Sequence, residues 1–190
     1  MKLRYRFPLA ALLSAAAAAT VAQTTAKLQP GQSEVLFVTK QMGVPVEGKF
    51  RTFDATLDLD PKKPEAGSAS VQISMISALL GVPEADAELP KPTWFDVAKF
   101  PDAIFRSTAI KNLGNGKFMV NGKLTIKSIV RELAVPMTIT QSGATSTATG
   151  GFVVKRLDFT IGQGEWTDTT VVANDVQVKF KLTFTGLAPL

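Results

Sequence analysis

The sequence predicts an all-β domain, a single antiparallel barrel of about eight strands. Apolar and polar residues alternate with period two in one segment after another, as strands do when one face meets a core and the other meets water. Gly114-Asn115-Gly116 lies between two of these segments, and Asn-Gly tolerates the positive φ that a two-residue hairpin turn requires. No long segment carries the 3.6-residue apolar period of an amphipathic helix.

The chain opens with a cationic stretch, Lys2, Arg4 and Arg6, followed by residues 7–19, apolar apart from Ser14, and then small residues. That order reads as a secretory signal peptide over residues 1–22, cleaved near Ala22, with the mature domain covering 23–190. The apolar run is short of the roughly 20 residues that span a bilayer. The expected location is the periplasm. The leader holds three of the 21 Lys and Arg and none of the 16 Asp and Glu. The mature chain is therefore close to neutral, and the basic whole-chain balance is no argument for nucleic acid.

The elements follow in order. "SEVLFVTK" (33–40) sets Val35 and Phe37 on one face and Leu36 and Val38 on the other, as in a strand covered on both sides. "GKFRTFDATLDLD" (48–60) reads as one long strand with Thr52, Asp54, Thr56 and Asp58 on its polar side. "GSASVQISMIS" (67–77) alternates Val71, Ile73 and Met75 against Gln72 and Ser74. Residues 81–101, rich in Pro and acids before Trp94, Phe95 and Phe100, predict a long aromatic-bearing loop with one or two short helical turns. Loops of that length in compact domains are usually functional or disordered, and the aromatics argue against disorder. "DAIFRSTAIKNL" (102–113) and "KFMVNGKLTI" (117–126) flank the Asn-Gly turn. In "ELAVPMTIT" (132–140), Pro136 has no N–H to donate and predicts an edge or a bulge. "TATGGFVVKRLDFTI" (147–161) and "DVQVKFKLTF" (175–184) complete the set, the last with Val176, Val178, Phe180, Leu182 and Phe184 against Gln177, Lys179 and Lys181.

Composition narrows the chemistry. The chain has no Cys and no His. Disulfide stabilisation, Ser-His-Asp and Cys-His catalysis and the commonest transition-metal ligand are all excluded. Asp58 and Asp60 share a strand face and Glu84, Asp86 and Glu88 cluster in the long loop, but neither group has calcium-loop spacing, and both read as solvated surface. The Gly clusters at 114–116 and 161–164 do not lead into a helix, so they read as turns rather than phosphate loops. Arg156 and Asp158, two apart in an expected strand, read as an ion pair, with an anionic head group as the alternative partner for Arg156. No catalytic residue, metal site or covalent cofactor is expected.

The order of segments resembles the YceI-like polyisoprenoid-binding proteins across essentially the whole mature chain. The stretches that carry the resemblance are "SEVLFVTKQMGVPVEGKFRTF", "WFDVAKFPDAIFRST", "NGKLTIKSIVRELAVPMTI", "VKRLDFTIGQGEW" and "DVQVKFKLTF". The resemblance implies a lipocalin-like barrel in the periplasm that encloses a long isoprenoid, such as a polyprenyl phosphate or the tail of a quinone. It implies a binding protein rather than an enzyme, and membrane cytochrome b561-type proteins as partners in quinone traffic. The sequence departs from the family pattern at three places. Glu88 stands where many relatives have His, Ser128 replaces a common Gly, and Thr160 replaces the Gly of "DFGI".

With the strands closed into a barrel, Phe37, Phe50, Ile73, Met75, Leu124 and Phe180 line the interior. Trp94, Phe95 and Phe100 cover one end, Trp166 flanks an opening, and Arg156 meets the head group. Periodicity alone leaves open a structural or partner-binding barrel with a filled interior, a dimer, and a small outer-membrane barrel. The last of these lacks its aromatic girdle, because the sole Tyr is Tyr5 in the leader and the two Trp are Trp94 and Trp166.

Overall fold

The structure, a computed structural model, describes residues 26–190. The leader and the expected mature start near Gln23 lie outside the described residues. One antiparallel sheet is built from β1 (Lys27–Leu28), β2 (Glu34–Gln41), β3 (Val44–Phe50), β4 (Phe53–Asp58), β5 (Ser68–Ser74) and β6 (Ala78–Leu79), then β7 (Asp102–Gly114), β8 (Lys117–Ile126), β9 (Ile129–Ser142), β10 (Thr145–Lys155) and β11 (Asp175–Thr185). The order is β4-β5-β7-β8-β9-β10-β11-β2-β3-β6, with β1 added beside β11. The sheet curls until its flanks approach one another. β1 pairs with β11 at Leu28↔Phe184, and the neighbouring Ala26 N–H donates to the Leu57 carbonyl on β4 at 3.1 Å.

The expected count of about eight strands is corrected to eleven among the described residues, two of them only two residues long. Two long segments are broken. Residues 48–60 form the end of β3 and all of β4, with a bend at Arg51 and Thr52, where Arg51 N–H donates to Ser77 O and Ser74 N–H to Thr52 O. Residues 147–161 stop being a strand at Lys155, and a 3-10 turn follows at Arg156–Phe159. Arg156 and Asp158 therefore do not share a strand face. The expected ion pair is absent: Arg156 is buried and Asp158 exposed, and the guanidinium bonds only backbone carbonyls.

Two-residue turns join four pairs of neighbours, β2–β3, β7–β8, β8–β9 and β9–β10, and three of them place both residues at positive φ: Met42-Gly43, Asn115-Gly116 and Lys127-Ser128. This hand of turn matches the twist of the strands it joins. The Asn-Gly turn is the expected one, whereas Lys127-Ser128 has no glycine. Pro136 lies inside β9, still facing Met119 on β8. The β9–β10 pairing ends one residue away, at Gly150↔Met137, so Pro136 sits where β9 becomes an edge on that side. The long loop contains the short helix α1 (Pro83–Glu88).

Thr160 closes the 3-10 turn at φ 53°, ψ 36°. A left-handed conformation costs an L-residue about 1–2 kcal/mol, and the Thr160 side chain is exposed. Thr160→Gly is expected to raise stability by about 1 kcal/mol, read as a higher urea midpoint at unchanged slope. A lower midpoint would mean that the hydroxyl or methyl stabilises the turn by a contact outweighing the strain.

Candidate functional site

Alternation sorts the inward faces into two chambers. On β11, Phe184, Leu182 and Phe180 line a cavity of about 100 Å³ together with Val35, Leu57, Val71, Val120, Val135 and Ala148. Val176, further along the same face, lines a second cavity of about 190 Å³. Ile73, Ala103, Leu124, Phe152 and Val178 line both and form a waist between them. The buried core divides in the same way into two clusters, with Phe50, Ile73, Phe105, Leu133, Phe152 and Val178 packed against each.

Three phenylalanines keep this interior from filling. A Cβ added to Gly48 would lie 2.2 Å from the Phe37 ring, one on Gly122 2.5 Å from Phe105, and one on Gly150 2.5 Å from Phe180. Phe37 and Phe180 face their glycines directly across the ladder. Each ring thus lies close against the wall where a neighbouring side chain would otherwise push it into the lumen.

The sequence-predicted residues converge on these chambers. Phe37, Phe50, Ile73, Met75, Trp94, Phe95, Leu124, Arg156 and Trp166 line the larger one. Phe180 lines the smaller one. Phe100 lines neither; it is half-buried in the loop, with its N–H donated to Asp96 O at 2.9 Å. The face of Phe37, ambiguous in a strand apolar on both sides, is inward. Sequence reasoning missed Thr39, Gln41 and Glu88 as lining residues, and also Phe152. Thr39 and Gln41 follow Val35 and Phe37 at period two, so the signal was present.

Among the described residues two cations are buried, Arg156, which lines the larger chamber, and Lys127, which does not. Arg156 is 2% exposed. Its Nε donates to Ala173 O (3.0 Å), Nη1 to Ile161 O (2.9 Å) and Gly162 O (3.2 Å), and Nη2 to Trp166 O and Val172 O (both 2.6 Å). Those five bonds use all five guanidinium N–H groups. Burial pushes its pKa below the ordinary arginine value. Lys127, also buried, donates from Nζ to Trp94 O and Thr160 O at 2.9 Å and to Pro92 O at 3.4 Å. It thereby ties the long loop to the turn after β10. Burial pushes its pKa down, partly offset by the Asp96 carboxylate. The indoles of Trp94 and Trp166 meet at 5.5 Å between centroids, tilted by 48°.

Several of the carboxylates have structural partners. Asp60 accepts the Lys62 N–H at 2.9 Å in a turn. Asp86 accepts the Leu80 N–H, and Glu88 pairs with Lys91. Among the described residues no three His, Cys, Asp or Glu side chains stand together as a metal site.

The chain is similar to several known proteins. Over 98 residues it is 32% identical to a UPF0312 protein of Pseudomonas savastanoi pv. phaseolicola, a match covering 52% of this chain and 51% of that protein. It thus spans about half the length of the curated relatives it first matches. The crystal structure of BcnA from Burkholderia cenocepacia superposes with a TM-score of 0.80 at 42% identity, covering 83% of this chain and 99% of that one. A polyisoprenoid binding domain from Saccharophagus degradans, implicated in plant cell wall breakdown, shares the fold with a TM-score of 0.69 at 17% identity, over 87% of this chain and 98% of its own. The YceI-like domain model matches residues 27–184, and the chain belongs to that family.

Proposed function

We propose that this protein is a periplasmic carrier or store of a long isoprenoid lipid, its hydrocarbon chain held in the curled sheet's interior. The observation that carries the reading is the pair of abutting apolar chambers, whose walls are set back by the Phe–Gly contacts. Family membership supports it, as does the polyisoprenoid binding of the Saccharophagus domain with the same fold. Burial contributes about 0.8 kcal/mol per methylene, so about ten enclosed carbons approach the roughly 8 kcal/mol of micromolar binding. The cationic leader supports export, and a membrane cytochrome b561-type protein is the proposed partner if the cargo is a quinone.

A binder fits the site better than an enzyme. The chain contains no His or Cys, and the carboxylate lining the chamber, Glu88, is paired with Lys91. An outer-membrane barrel fits less well. Gln177, Lys179 and Lys181 are exposed on the outer face of β11, where a lipid-facing barrel needs apolar side chains. Mass spectrometry of organic extracts from protein purified without detergent tests the proposal. An isoprenoid lipid near one per protein is expected; extracts with no isoprenoid above a control protein would refute it.

A further inference from the structure

Single apolar side chains scattered over a protein surface need no explanation. Here four of the exposed ones gather at one end. Met42 is 79% exposed and Val44 63% exposed, at the tip of the β2–β3 hairpin. The Met42 N–H donates to Val171 O at 2.9 Å, which sets the exposed Val171 beside that tip. Their chain neighbours Gln41 and Val172 bridge to each other and line the larger chamber. Val82, also exposed, precedes α1, whose Ala85 and Glu88 line the same chamber. The four form an apolar rim at the end of the larger chamber away from the waist.

Neither the turn nor the core explains Met42. Its φ is 48° and that of Gly43 is 82°, a conformation that Asn-Gly suits, as at Asn115-Gly116. A long apolar side chain is instead held at positive φ and in water. The backbone beneath it is fixed, since Ala173 N–H also donates to Lys40 O at 2.9 Å. Residues 41–46 and 169–174, the two stretches joined by these bonds, contain no charged side chain.

We infer, on the carrier reading above, that this rim docks on the surface of a lipid bilayer, setting the larger chamber against the membrane that supplies or receives the cargo. Several observations favour a bilayer over a protein. Four side chains fall short of the about 800 Å² per partner that a stable protein interface buries. The edge of β3 pairs with β6 only at Lys49 and Phe50, and beyond them it carries Pro45 and Glu47. A proline without an N–H and a charge both oppose an added strand. A bilayer requires no matched surface, because apolar side chains enter the boundary between head groups and acyl chains. Anionic lipids attract basic segments, and two uncharged stretches offer them nothing, so apolar insertion is the driving force. Cargo passing across the rim keeps its hydrocarbon out of water throughout.

Flotation with phosphatidylcholine vesicles tests this on protein purified without detergent. The wild type is expected to float, with binding unchanged by salt or by added phosphatidylglycerol. Met42→Asn keeps a residue suited to positive φ, and Val44→Thr keeps the side-chain shape. Each is expected to weaken vesicle binding about tenfold, the scale of one apolar side chain returned to water. Melting curves and co-purified isoprenoid are expected to match the wild type in both variants. The chain has no Cys, so an environment-sensitive dye can be placed at Val44→Cys alone. The control is Leu113→Cys, where Leu113 is 58% exposed beside the Asn115-Gly116 turn at the other end of the sheet. A blue shift with vesicles is expected at position 44 and not at 113. A wild type that carries isoprenoid without floating, or that dimerises through Met42 and Val44 instead, overturns the docking surface and leaves the carrier reading intact. So does vesicle binding that ignores both substitutions, that shifts both dyes equally, or that requires phosphatidylglycerol and vanishes in salt. Extracts without isoprenoid overturn the carrier reading and, with it, the loading role of the rim.

Discussion

Replacing Arg156 by methionine is expected to destabilise the fold by about 3–5 kcal/mol, a loss on the scale of breaking a buried charged network. Methionine keeps much of the volume but withdraws five donors at once. It leaves carbonyl oxygens of Ile161, Gly162, Trp166, Val172 and Ala173 facing one another with nothing between them. Those oxygens come from two stretches, 161–166 and 172–173: the first is tied to Thr93 O by the Gly162 and Gln163 N–H groups, the second to β2 by the bridge Gln41↔Val172. The guanidinium is their common centre. Gly162 is part of the same arrangement, because a Cβ there would meet Arg156 Nη1 at 2.4 Å. Arg156→Lys is expected to recover only a minor part, since one ammonium offers three donors from a point rather than five from a planar fork. Urea unfolding of both variants is the measurement. A methionine variant within about 1 kcal/mol of wild type would show that water supplies the missing donors.

Arg156 also marks where the sequence stops being legible. Its position two residues from Asp158 points to an ion pair only while strand periodicity is carried past Lys155, where β10 ends. Nothing in "KRLDF" announces a 3-10 turn, and the five carbonyls come from residues up to 17 positions away. Charge satisfied by backbone leaves no trace in residue identity. By contrast, the inward faces of β8 and β11 are readable, since each is a plain alternation. The break between β3 and β4 is hidden as well: 48–60 reads as one strand, and only the packing shows that Phe50 and Phe53, of opposite parity, both turn inward, which one straight strand cannot satisfy. The Lys127-Ser128 turn is hidden because both residues take positive φ with no glycine in the pair, and the Lys127 ammonium is anchored on the Trp94 and Thr160 carbonyls, which the sequence does not show. Thr39 is visible as a strand position, but its unpartnered hydroxyl is not, because lack of a partner is a property of the assembled interior.

Leu124→Trp is expected to cut lipid retention at least tenfold while leaving the apoprotein nearly as stable as wild type. Leu124 is 8% exposed, lies opposite Phe105 on β7 and lines both chambers. An indole there closes the waist and denies the chain its passage from the larger chamber into the smaller. In a packed core the added volume forces strained rotamers and costs about 1–3 kcal/mol. Beside cavities of about 190 and 100 Å³ the ring has space to enter, so the melting temperature is expected to fall by less than about 4 °C. Met75→Phe is the companion, because Met75 lines the larger chamber alone. It narrows the larger chamber without closing the waist, and its effect on retention is expected to be smaller. Thermal melting and mass spectrometry of co-purified lipid, measured on the same preparations, separate the outcomes. Lost lipid with preserved stability means that the chambers are the cargo's path. A large fall in stability of Leu124→Trp, in a protein whose wild type carries no lipid, means that the interior is closed packing and that the carrier reading is wrong.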